Sequence, residues 1–154
     1  MKYYIIAGEA SGDLHGSNLM KGIYAEDPHA DIRFWGGDLM KSVGGELVRH
    51  YKEGAIIGFV EVFVKARMLL GNVSFCKKDI KEWNPDVVIL IDYPGFNFKI
   101  AEFAHKAGFK VFYYIAPKVW ASREGRIKKL KAYVDKLFIV FPFEIPYFTR
   151  KGIP

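Results

Sequence analysis

One run of six residues, Asp86-Val87-Val88-Ile89-Leu90-Ile91, constrains the fold more than any other segment. It is almost wholly β-branched or aliphatic and has no polar face to offer water. Such a run reads as a strand covered on both sides, and strands of that kind belong to parallel sheets. Further apolar runs at Lys2–Ala7, Ile32–Trp35, Lys110–Ile115 and Lys136–Val140 predict four more strands. Helical spacing separates them, over Leu14–Ala25, Leu39–Val43, Val60–Trp83, Phe98–Ala107, Arg123–Tyr133 and Pro142–Lys151. Leu14, Leu19, Ile23 and Ala25 give the first helix its apolar spacing, Pro28 and Gly108 supply stops, and Gly71-Asn72 predicts a bend in the longest helix. Strand–helix alternation implies parallel strands joined by right-handed crossovers, the α/β class. Ligands of such sheets bind at the carboxyl ends of the strands. That rule selects the loops after Ala7, Trp35, Ile91, Ile115 and Val140.

At 154 residues the chain suits one domain, residues 1–154. With 51% hydrophobic and 26% charged residues it has an ordinary globular balance. The single Cys76 has no partner for an internal disulfide; it reads as a half-buried bystander thiol and fits a reducing, cytoplasmic location. Met1–Ala7 is too short for a signal-peptide core, and no apolar run is long enough to span a bilayer. The chain stops at Lys151-Gly152-Ile153-Pro154, which reads as a domain cut at a linker. A net charge of +6 admits nucleic acid, an anionic membrane or a phosphorylated substrate. No helix-turn-helix, zinc or RNA-binding pattern accompanies the charge, so nucleic acid is the least favoured partner. The four histidines show no metal-ligand spacing, and neither a metal nor a cofactor is expected.

Five segments carry candidate chemistry. Gly8-Glu9-Ala10-Ser11-Gly12-Asp13-Leu14-His15-Gly16 surrounds a helix start, whose backbone N–H groups and dipole suit an anion. It matches neither the dinucleotide fingerprint nor the P-loop, and a tight turn capped by Ser11 or Asp13 explains it equally. In Asp92-Tyr93-Pro94-Gly95-Phe96-Asn97 an acid directly follows the buried strand. Burial raises a carboxylate's pKa and suits Asp92 to general-base work; an Asx-turn is the simpler alternative. Asn97 stands where it can cap the next helix. Tyr113 to Ser122 puts Lys118, Trp120 and nearby Arg123 beside the same edge, as for a sugar or phosphate, or as an ordinary packed strand end. From Gly58 to Leu70, apolar residues run almost all the way round, with Lys65 and Arg67 between them. That is the pattern of an interfacial helix or acyl groove, or of a fully buried helix. Arg123, Arg126, Lys128, Lys129 and Lys131 crowd a fifth segment, a solvated face or an anionic-lipid contact.

Four of these pieces resemble, in order and at suitable spacing, the lipid-A-disaccharide synthases: Gly8–Asp13, Gly58–Val62, Asp92–Asn97 and Tyr114–Ala121. The resemblance covers essentially the whole chain. It implies the amino-terminal, acceptor-side domain of a GT-B glycosyltransferase, a Rossmann-like parallel sheet with helices on both faces, its nucleotide-holding second domain lying outside this chain. The implied reaction is inverting transfer of 2,3-diacylglucosamine from its UDP derivative to 2,3-diacylglucosamine 1-phosphate. It forms a β-1,6 link in lipid A biosynthesis and releases UDP, without a metal. Implied partners are the two sugar lipids and the anionic cytoplasmic face of the inner membrane, where the protein would sit peripherally; a homo-oligomer is compatible with all of this. Asp92 takes the place of the base for the acceptor 6-hydroxyl. Gly8, Glu9, Ser11, Gly12, Asp13, Asn97, Lys118 and Trp120 take substrate-binding places. Phe59, Val60, Val62, Phe63, Leu69 and Leu70 take membrane-facing or acyl-binding places. The family usually has a second Trp at the position of Ser122, so stacking there is in question. The 154 residues alone are expected to be inactive. Competing expectations are another GT-B protein, such as a nucleotide-sugar epimerase or a peptidoglycan glycosyltransferase, and a non-enzymatic lipid-binding module.

Overall fold

The computed structural model describes residues 1–54, 62–114 and 126–138. Within them, six parallel strands form one sheet: β1 (Lys2–Ala7), β2 (Asp31–Gly36), β3 (Glu46–His50), β4 (Val87–Ile91), β5 (Lys110–Tyr114) and β6 (Lys136–Phe138). Their order is β3-β2-β1-β4-β5-β6. The helices are α1 (Ala10–Glu26), α2 (Asp38–Val43), α3 (Val62–Trp83), α4 (Pro94–Lys106) and α5 (Arg126–Tyr133). The fold is Rossmann-like, as the alternation predicts. Elements expected beyond Tyr114 and Phe138, including the helix over 142–151, lie outside the described residues.

Strand alternation sorts the core into two layers. Tyr4, Ile6, Val88, Leu90, Val111 and Tyr113 meet α3, α4 and α5 through Cys76, Ile80, Ile100, Ala104 and Leu130. Ile5, Ala7, Val87, Ile89 and Ile91 face the other way, towards Met20 of α1 and Met40 of α2. β4 is buried at every position, as its sequence requires.

One strand goes unpredicted and three expectations need correction. β3, followed by a 3-10 turn over Tyr51–Gly54, has no apolar signature, because it is an edge strand whose residues are at most partly buried. α1 does not bury Leu14, which is 49% exposed. Its fully buried residues are Gly12, Asp13, Gly16, Ser17 and Met20, with Leu19 and Ile23 packed partly buried beside them, and the glycines let the helix approach the sheet closely. A Cβ on Gly16 would come within 2.6 Å of the Met40 sulfur and 3.2 Å of Ile91. α3 runs uninterrupted through Gly71-Asn72, beyond both of which it keeps a core-facing side at Val73, Cys76 and Ile80. Cys76 is fully buried rather than half-buried. Burial pushes its thiol pKa up, with its sulfur 3.9 Å from the Tyr4 hydroxyl.

A polar network crosses the first layer. Asp79 on α3 accepts two bonds from the Arg33 guanidinium, at 2.7 and 2.8 Å, and one from the Tyr4 hydroxyl at 2.7 Å. The Trp35 indole donates to that same hydroxyl at 2.8 Å. Burial alone would raise the Asp79 pKa, but bonds from Arg33 and Tyr4 outweigh it and hold the carboxyl below its ordinary range.

Candidate functional site

Sheet order points to one place on the carboxyl edge as the candidate site. From β1 the chain moves to β2 on one side; from β4 it moves to β5 on the other. β1 and β4 are therefore the neighbours at which the winding reverses, and the loops leaving their carboxyl ends diverge around a crevice. These loops are Gly8-Glu9 and Asp92-Tyr93. Ala7 and Ile91, the last residues of their strands, are paired in register.

The two loops touch. The Tyr93 ring occupies the space that any Cβ on Gly8 would need, so this approach requires glycine. Glu9 and Tyr93 also sense one another: burial raises the Tyr93 pKa, and the nearby Glu9 charge adds to the effect. Tyr93 stacks on Phe96, ring centroids 5.7 Å apart, and Phe96 lies 5.4 Å from Trp35 at the end of β2.

The β4 loop is strained. Asp92 and Tyr93 have φ of 43° and 49°, both left-handed, and neither is glycine. Each such residue costs on the order of 1–3 kcal/mol and persists only where its surroundings over-determine it. Here the Asp92 carbonyl accepts from the Asn97 side-chain amide at 2.9 Å and from the Tyr113 hydroxyl at 2.5 Å. Asn97 also donates to the Ile91 carbonyl at 3.3 Å. Asp92 itself is half-buried at the mouth of the crevice.

The remaining predicted residues divide by place. Gly8, Glu9 and Ser11 lie on the β1 loop and the first turn of α1, with Glu9 and Ser11 exposed and Gly8 partly so. Gly12 is buried with its α-carbon side against Ala7. Asp13 is only 4% exposed, and its carboxylate accepts backbone N–H bonds from Gly37, Leu39 and Met40 at 2.8 to 3.1 Å. It serves the amino-terminal end of α2 rather than its own helix, which Glu9 opens without a side-chain cap. Asn97 is fully buried and does not cap α4. Pro94 starts that helix, its fixed φ and missing N–H suiting the first position, and Asn97 braces the loop from the first turn. Its Oδ1 finds no partner among the described residues.

Leu69 packs against the core, whereas Leu70 is 60% exposed. Phe59, Val60, Lys118 and Trp120 lie outside the described residues, as do the side chains of Val62 and Phe63. Sequence reasoning missed Tyr93 and Tyr113, which shape the loop. The signal for Tyr113 was the pairing of β5 with β4, which places Tyr113 beside Leu90, and strand order was needed to see it.

A model of the lipid-A-disaccharide synthetase family matches residues 3–154. The lipid-A-disaccharide synthase of Geobacter metallireducens is 46% identical over 150 residues, and that of Trichlorobacter lovleyi 42%. Each alignment takes in 97% of this chain but 39% of the relative, its amino-terminal part. Among solved structures, a putative UDP-N-acetylglucosamine 2-epimerase from Listeria monocytogenes superposes with a TM-score of 0.73. The overlap is 99% of this chain and 42% of that one, at 10% identity, a likeness of fold alone. The match of the family model over nearly every residue, with relatives above 40% identity across the same span, places this chain in the lipid-A-disaccharide synthetase family.

Proposed function

We propose that the chain is the acceptor-side domain of an inverting glycosyltransferase. The full-length protein would move 2,3-diacylglucosamine from its UDP derivative to the 6-hydroxyl of 2,3-diacylglucosamine 1-phosphate, releasing UDP. The observation that carries this reading is the Asp92 loop: a carboxylate at the switch point of the sheet, on a strained turn pressed against Gly8. Asp92 takes the hydroxyl proton as the oxygen attacks the anomeric carbon and the bond to UDP breaks. Gly8, Glu9 and Ser11 form the facing wall. Gly12 and Asp13 support that wall from beneath, and Asn97 supports the base. Lys118 and Trp120 complete the substrate-binding set. Donor contacts would come mainly from the part of the relatives that this chain does not span, so the 154 residues alone make no disaccharide. The test is turnover by the full-length protein carrying Asp92→Asn. The expected loss is about 10²–10⁴-fold, with acceptor affinity kept. Undiminished turnover removes Asp92 as the base.

The same reading places the protein peripherally on the anionic inner-membrane face, through the segment that includes Phe59, Val60, Val62, Phe63, Leu69 and Leu70. What supports it is the exposure of Leu70 on the flank of α3 that faces α4, with Met68 and Phe75 exposed on the opposite flank. A groove of about 590 Å³ between α3 and α4 joins Leu70, Val73 and Phe103 to Lys77, Lys99 and a Lys106 paired with Glu102 at 2.8 Å, an apolar floor with a net positive rim suited to an anionic amphiphile. No helix among the described residues is long and apolar enough to cross a membrane. Vesicles containing phosphatidylglycerol should carry the wild-type protein upward in a flotation gradient. They should leave behind a variant with Val62, Phe63 and Leu70 changed to Ser. Equal flotation of the two, or of neither, refutes the membrane contact.

A further inference from the structure

The Asp92 carbonyl is held from two directions by side chains that are both fully buried. A buried tyrosine hydroxyl must find a partner. Tyr113 spends its own on the carbonyl of the first left-handed residue in the loop. Its ring is fixed against Phe98, centroids 5.8 Å apart, so the hydroxyl is presented by a rigid support on β5. Asn97 reaches the same oxygen from α4. A carbonyl oxygen has two lone pairs, and these two donors suffice to occupy them. Turning Asp92 out of the left-handed region would swing the 92–93 peptide away from both donors. Pro94 limits relaxation on the far side, because its ring fixes the next φ.

We infer that Tyr113 is a positioning residue: its hydroxyl, acting with Asn97, holds Asp92 in the backbone conformation that delivers the carboxylate to the acceptor hydroxyl. The inference rests on the reading of Asp92 as the base. It assigns to Tyr113 no contact with substrate. A merely structural tyrosine would lower stability when its hydroxyl is removed and leave the catalytic constants alone. A positioning tyrosine separates the two constants, because the acceptor still binds while the base is misplaced.

The experiment is Tyr113→Phe in the full-length protein, a change that keeps the ring and deletes the donor. The expected result is a kcat lower by about tenfold or more, since a misplacement of about an ångström can cost about 10²-fold. The acceptor KM should stay within about twofold, and the protein should remain folded. Wild-type kcat in Tyr113→Phe, in a protein that Asp92→Asn inactivates, overturns the inference. If Asp92→Asn is itself fully active, the base reading has failed instead. The clamp is then judged by a crystal structure of Tyr113→Phe: a left-handed Asp92 unchanged from φ 43° overturns it, and a relaxed Asp92 supports it.

Discussion

At the scale of single residues, the site depends on what is missing from Gly8. The Tyr93 ring fills the place of a side chain there, and this contact ties the β1 loop to the β4 loop. Gly8→Ala should therefore destabilise the fold by about 1–3 kcal/mol through overpacking. Removing the ring should relieve the clash, so urea unfolding of Gly8→Ala with Tyr93→Ala should show much less than the summed loss. Strict additivity would mean that the two residues do not meet. The residue scale is also where the sequence was least legible. The glycine-rich loop and Asp92 stood out by composition and by position after a strand. Asp13 and Asn97 stood out too, but for the wrong partners. Asp13 accepts from an α2 turn more than twenty residues away, and Asn97 braces carbonyls behind it. Side-chain polarity announces that a partner exists and leaves open which one.

At the scale of elements, Asp79 joins α3 to β1 and β2 through Tyr4 and Arg33, and Arg33 pairs as well with Glu46 of β3 at 2.8 Å. The Asp79 carboxyl is held below its ordinary range, the bonds from Arg33 and Tyr4 overriding the opposing effect of burial. Its stabilising contribution is therefore complete above the unfolded value of about 4 and is lost as pH falls through the lower folded value. Stability should drop on acidification over that interval, and Asp79→Asn should flatten that part of the curve. An unchanged acid slope in the variant would show that Asp79 is not a source of it. The elements themselves were largely legible. β4 betrayed itself by continuous apolarity and β1 by length and boundary. β3 did not, because an edge strand has no two-sided burial to impose a pattern. The buried face of α1 was legible only in part: Leu19 and Ile23 pack against the core as their spacing implies, but Gly12 and Gly16, not Leu14, make the closest approach to the sheet.

At the scale of the whole molecule, strand order does what no local motif can. It brings residues 8 and 92 together by placing β1 beside β4, and it puts Tyr113 under the loop by placing β5 next to β4. Alternation of strands and helices foretold a parallel sheet and pointed to its carboxyl edge as the candidate site; it did not give the order that turns two loops into one crevice. Membership of the lipid-A-disaccharide synthetase family motivates the chemistry proposed for that crevice, in which Asp92 is the centre. The pH dependence of kcat/KM in the full-length protein tests this most directly, measured for wild type and Asp92→Asn with the same acceptor. The account predicts an acid limb in the wild type, as a single carboxylate gives up its proton, and its disappearance in the variant together with a rate about 10²–10⁴-fold lower. A variant that keeps both the wild-type rate and the acid limb would contradict it.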